Sequence, residues 1–266
     1  MEVIIALLLA GVGLALIFYL RPKLLEDITE IKYLKTKTIA ELNDMFTQME
    51  NSGLGNEYRE FVELKGIPVS DNLVVTPFSD KKVVYCESKL IQVTQVTENY
   101  RDSNGMMRTR VRKQEIPISN EKSSQYVLLK DNSSQTPVAL EVTASGCDLD
   151  IPKSWDRFEP KSNLGHYRYF NSFNFGRFGA ETLGFKMVEK TINENQSLYV
   201  IGEAFKEGNQ IHIGKPRDEK KPFIITTKSE EDLVNTSKQK STMALVGGII
   251  FIVIGIIMII LKMKGW

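Results

Sequence analysis

Cysteine and histidine are the side chains best suited to metal binding and nucleophilic chemistry near neutral pH. This sequence spends only four: Cys86, Cys147, His166 and His212. A structural zinc site takes a full tetrahedral set of N or S ligands, and the cross-braced RING module takes two such sets. Four candidates scattered singly, with no CxxC pair, exclude a RING within these residues and argue against even one zinc site. A Cys86–Cys147 disulfide and two buried free thiols are the alternatives for the cysteines, and the free thiols are the plainer reading. Asp, Glu and Ser are plentiful, yet no Gly-rich phosphate loop, GxSxG elbow, HExxH helix or metal-type carboxylate cluster occurs. No catalytic residue, metal or cofactor is expected.

Two patches suit binding rather than reaction. Arg108, Arg110, Arg112 and Lys113 follow one another with three arginines at period two, which reads as a phosphate or headgroup site or, more plainly, as a solvated strand face. Tyr167, Tyr169, Phe170, Phe173, Phe175 and Phe178 are interleaved with Gly, Asn and Arg. Aromatic rings in a loop are costly to leave in water, so this stretch is a candidate interaction loop for lipid or a protein partner; packing onto its own domain is the alternative. Nucleic acid is not an expected partner. The whole chain carries a net charge of +1, and removing Glu2, Lys262 and Lys264 leaves residues 21–242 balanced, where a polyanion binder would show clustered excess Lys and Arg.

The elements that must position these residues read as a mainly β soluble domain, barrel or sandwich, with an N-terminal amphipathic helix, flanked by two transmembrane helices. Residues 3–20 and 243–261 run without a charge. At 1.5 Å per residue each reaches about 27 to 29 Å, the thickness of a bilayer's hydrocarbon core. Glu2 stands where a signal peptide would have a cationic region, and Arg21-Pro22-Lys23 follows instead of a small-residue cleavage site, so the first span reads as an uncleaved anchor. Ala6, Ala10, Gly11, Ala15, Ala244 and Gly248 are small residues four apart that would let the spans pack closely. Residues 24–51 carry apolar side chains at three- and four-residue steps, one amphipathic helix or two short ones. From 58 to 228 short β-like runs alternate with Pro, Gly, Asn, Asp and Ser clusters. Asp102-Ser103-Asn104-Gly105 marks a hairpin turn between them. Residues 229–242 read as a polar tether.

Several motifs bear a resemblance to a known family. Val62-Glu63-Leu64-Lys65-Gly66, Val75-Thr76-Pro77-Phe78-Ser79 and Val83-Val84-Tyr85-Cys86, then Leu183-Gly184-Phe185, Glu189 and Leu198-Tyr199-Val200-Ile201-Gly202-Glu203-Ala204, resemble the GIDE, or "beside a membrane", domain over roughly residues 58–261. The matching positions are Gly66, Pro77, Tyr85, Gly184, Glu189, Gly202 and Glu203. What the resemblance implies is a β domain held between two spans. In eukaryotic relatives it belongs to a mitochondrial ubiquitin ligase whose activity resides in a RING after the second span. This sequence ends at Lys262-Met263-Lys264-Gly265-Trp266, so ligase activity is not carried over, and a prokaryotic plasma-membrane protein is expected.

Eight basic residues flank the spans on the domain side (Arg21, Lys23, Lys32, Lys35, Lys37, Lys228, Lys238, Lys240) against Lys262 and Lys264 outside. The positive-inside rule then puts the domain in the cytoplasm, whereas the resemblance points to the opposite side. The expected function is a membrane-anchored, non-catalytic interaction or scaffold module that binds a protein partner or lipid and self-associates. The alternative is a component of a ubiquitin-ligase-like or stress-response system with its catalytic part on another chain.

Overall fold

A computed structural model describes residues 2–55, 57–172 and 181–263. The chain begins with helix α1 (Glu2–Ala15), passes through a wider π turn at Leu16–Leu20, and continues directly as α2 (Arg21–Tyr33). Pro22 explains the wide turn: it has no N–H for the Phe18 carbonyl and its ring crowds that oxygen, so the Arg21 N–H reaches back to the Leu16 carbonyl instead. The last helix, α4 (Glu230–Met263), is 34 residues long. That is about 50 Å, enough to cross a bilayer core and project roughly 20 Å beyond it. Residues 230–242, read from sequence as a tether, are thus the first turns of a continuous helix.

The helices run antiparallel and close. A Cβ on Gly13 would fall 2.6 Å from the Gly248 carbonyl oxygen, and one on Gly255 would fall 2.7 Å from that of Ala6. Small residues therefore do set the crossing, as in other closely packed helix pairs. Gly11 and Gly247 look into open space and take no part.

After α2, strand β1 (Thr36–Lys37) leads into helix α3 (Ile39–Asn51). The 24–51 stretch is divided because Thr38 starts a new helix: its side chain accepts from the Glu41 N–H while the Glu41 carboxylate accepts from the Thr38 N–H. Strands then follow in chain order: β2 (Arg59–Val69), β3 (Val74–Val75), β4 (Lys82–Val83), β5 (Tyr85–Arg101), β6 (Met107–Lys122), β7 (Tyr126–Lys130), β8 (Val138–Glu141), β9 (Asp148–Asp150), β10 (Lys153–Pro160), β11 (Thr182–Ile192), β12 (Leu198–Glu207), β13 (Gln210–Gly214) and β14 (Ile224–Thr226).

The strands β2-β7-β8-β13-β12 close on themselves through β2–β12 pairing, a barrel of five strands. Closure removes the sheet edges that would otherwise demand partners. Val62, Leu64, Leu129, Leu140, Val200 and Ile213 fill the barrel, and Ile39, Leu42 and Phe46 from one face of α3 cover it. A second antiparallel sheet, β10-β11-β5-β6, extends from the barrel. The β5–β6 hairpin turns where the motif predicts: Gly105 has φ +78, and the Asp102 carboxylate accepts from the Asn104 and Met106 N–H groups.

Candidate functional site

Two clusters stand out, and each is built on a buried glutamate. The first lies where the helices meet the barrel. Ile28 and Ile31 of α2 and Leu233 and Val234 of α4 pack on Tyr199 and Ile201 of β12 and Ile224 of β14. Beneath this apolar seal sits Glu63, 0% exposed. The Thr36 hydroxyl donates to one carboxylate oxygen, and the Tyr199 hydroxyl donates to the other at 2.7 Å. Lys65 Nζ lies 3.4 Å from Glu63 and 3.6 Å from Glu230, at the head of α4.

A buried carboxylate survives only with such partners. Burial first, and then the Glu63 carboxylate that it serves, push the Tyr199 hydroxyl well above its usual range, so it stays a proton donor. The cluster latches β1, β2, β12 and α4 into one joint. It is easy to overlook in the sequence, because Val62 and Leu64 point into the barrel and alternation gives Glu63 to solvent. The available signal is β12 itself: Leu198-Tyr199-Val200-Ile201 is apolar without alternation, as strands covered on both faces are.

The second cluster is built on Glu189 of β11, also 0% exposed. Its carboxylate accepts the Phe78 N–H at 2.6 Å, the Ser79 N–H at 3.3 Å and the Ser79 hydroxyl. The clamped turn follows Pro77 and is closed by Thr76, whose hydroxyl accepts from the Lys81 N–H at 3.0 Å. It delivers Phe78 into a pocket with Leu90, Leu164, Phe170, Phe185 and Met187. Three residues of the candidate interaction loop face this same core: Phe170 is 3% exposed, and Tyr167 and Tyr169 pack against it partly buried. The Tyr169 ring meets the edge of Phe78 at 5.0 Å. Phe173, Phe175 and Phe178 lie outside the described residues.

The other resemblance positions mark tight crossings. A Cβ on Gly184 would sit 2.2 Å from the Glu159 carbonyl oxygen, one on Gly66 2.7 Å from that of Lys130, and one on Gly202 2.9 Å from Ile213 and Phe223. No side chain fits at Gly184 or Gly66 without moving backbone, and one at Gly202 would displace the Ile213 and Phe223 side chains. Glu203 accepts from Arg59 Nη1 at 2.9 Å and from the Arg217 N–H at 3.2 Å, tying the 215–223 segment to the barrel. Tyr85 is fully buried, and its hydroxyl finds no hydrogen-bond partner among the described residues.

Past Thr94, β5 leaves β11 and the hairpin continues with β5 and β6 paired only to each other among the described strands. Three of its arginines are held by carboxylates: Arg108 by Asp102 at 2.7 Å, and Arg110 and Arg112 by Glu98 at 3.0 and 2.6 Å. Cys86 and Cys147 are free thiols, and burial pushes both up to about 12, which keeps them protonated and unreactive. Among the described residues no three His, Cys, Asp or Glu side chains gather as a metal ion would require.

No curated protein and no solved structure matches the chain. A family model does: GIDE, described as E3 ubiquitin ligase, matches residues 95–260. The match takes in the hairpin from Gln95 onward, the Gly184, Glu189, Gly202 and Glu203 positions and most of α4; Gly66, Pro77 and Tyr85 fall before it. Covering more than half of the sequence, it shows that the chain belongs to the GIDE family.

Proposed function

We propose that this protein is a membrane-anchored interaction module that holds a GIDE-type barrel at a fixed height beside the bilayer. The observation that carries the reading is the helical mount. Two helices long and apolar enough to cross a membrane continue beyond their apolar stretches without a break and seat directly on the barrel through Ile28, Ile31, Leu233 and Val234. A scaffold differs from a tethered domain in this rigidity, since a flexible linker would leave height and orientation free.

The surface it offers is the β5–β6 hairpin. Met107 and Val111 are 65% and 59% exposed there, and the outer edge of β6 has unpaired backbone groups suited to an added strand. In this reading the basic flanks of the spans put the domain on the cytoplasmic side.

Photo-crosslinking from position 111 in native membranes tests the reading. Recurrent adducts to one protein would support it and name the partner; adducts to lipid alone, or none, would overturn it. The family's ligase description favours a second reading, a component of a ubiquitin-transfer system with the zinc-dependent step elsewhere. Recovery of an E2-type or RING-type protein at that position would select it.

A further inference from the structure

Segment 215–224, β9 and the head of α2 enclose a cavity of about 330 Å³. Four lysines line it, Lys23, Lys215, Lys220 and Lys221, against two carboxylates, Asp148 and Glu219. We propose that this cavity takes the phosphate of an acidic glycerophospholipid headgroup, an inference that rests on the reading of α1 and α4 as membrane spans.

Three observations converge. The first is excess charge: four lysines face two carboxylates, and none of the four makes an ion pair among the described residues, whereas Arg108, Arg110 and Arg112 on the hairpin are each paired. The second is pre-organisation. Lys221 Nζ lies 4.8 Å over the Phe61 ring, and the Asp218 carbonyl and carboxylate accept from the Lys221 and Lys220 N–H groups at 3.0 and 3.1 Å, closing the turn that carries both lysines. Glu203 anchors the same segment through the Arg217 N–H.

The third is depth. Lys23 follows the last uncharged residue of the span, Leu20, by less than one helical turn, about 4 to 5 Å along the axis. The headgroup layer beyond the hydrocarbon is roughly 5 to 7 Å thick, so the cavity opens at the level of lipid phosphates. Basic pockets beside membrane helices bind anionic headgroups through this combination of charge and position.

The test uses the purified full chain in detergent with phosphatidylglycerol or phosphatidylcholine added, and native mass spectrometry to count bound lipid. Wild type should retain phosphatidylglycerol in preference to phosphatidylcholine. Combined Lys215→Gln, Lys220→Gln and Lys221→Gln should lower that affinity roughly a hundredfold, while Lys113→Gln with Lys122→Gln on the hairpin sheet should leave it unchanged. A second arm separates lipid from free phosphate: if inorganic phosphate raises the melting temperature of wild type and not of the triple variant while the two lipids bind equally, the anion site stands and the lipid assignment falls. A triple variant that matches wild type in both arms overturns the site altogether. Release of the chain from membranes by alkaline carbonate would overturn the membrane reading alone, because the phosphate arm needs no bilayer.

Discussion

The buried interior of the molecule and the exposed β5–β6 hairpin use the same chemical groups for opposite ends. Glu63 and Glu189 are wholly buried, and each gathers several donors from distant parts of the chain. Glu98 and Asp102 on the hairpin face arginines that are more than half exposed and lie within a few residues of the turn. Solvent screens the second kind of pair until it contributes little, whereas a buried carboxylate binds its partners tightly because nothing else is available to them. Charge in the interior is therefore architecture. On the hairpin it keeps an exposed two-stranded edge in contact with water.

Substitutions should separate the two regions in order of burial. Glu189→Ala strands the Phe78 and Ser79 N–H groups in the interior and should cost about 3 to 4 kcal/mol, read as a lower melting temperature of the full chain in detergent. A loss under about 1 kcal/mol would mean that water reaches the turn and that the contrast with the hairpin is false. Gly184→Ala drives a methyl into the Glu159 carbonyl and should cost about 2 to 3 kcal/mol; the same change at Gly247, which faces open space, should be near neutral and serves as its control.

Asp131 lies between these extremes. It accepts the Ile39 N–H at 2.8 Å, at the head of α3, and Ser133 donates to its other oxygen. Partial burial would raise its carboxyl, but the hydrogen bonds from Ser133 and Ile39 prevail and hold it below the usual carboxylate range. A group with a depressed folded-state pKa stabilises the fold above its unfolded pKa, near 3.9, and loses that contribution as pH falls through the lower, folded value. Asp131→Ala should cost about 1 kcal/mol at pH 7, and the difference from wild type should shrink in melting curves taken below about pH 4. A difference that stays constant to pH 2 would refute a charged cap. The smallest effect belongs to the hairpin: Glu98→Ala should change stability by less than about 0.5 kcal/mol, while hydrogen exchange of the β6 amides that face away from β5 should be fast in both proteins. Slow exchange of those outward-facing amides would show that something already covers the edge.

Much of this arrangement was legible in the residues. The two apolar runs, the hairpin turn at Asp102–Gly105 and the succession of short β-like runs between residues 58 and 228 follow from local pattern, because turn chemistry and hydrophobic period act within a few residues. Strands β10 and β11 lack such a pattern. In β11, Lys186, Glu189 and Lys190 interrupt the apolar residues, and the strand exists because β5 and β10 pair on either side of it. The second sheet was hidden for that reason.

What the sequence determined by itself was what adjacent residues decide: length and hydropathy of the two apolar runs, the amphipathic period of residues 24–51, and the glycine that lets the hairpin turn. The tertiary structure alone decided that residues 230–242 stay helical and dock, that Glu63 is buried when alternation assigns it to water, and that Tyr167, Tyr169 and Phe170 turn inward. It also brought Lys23 beside Lys215, Lys220 and Lys221 across nearly the whole chain. Each of these depends on which surfaces cover one another, and burial changes the energy of a charge or a ring by more than any local preference can.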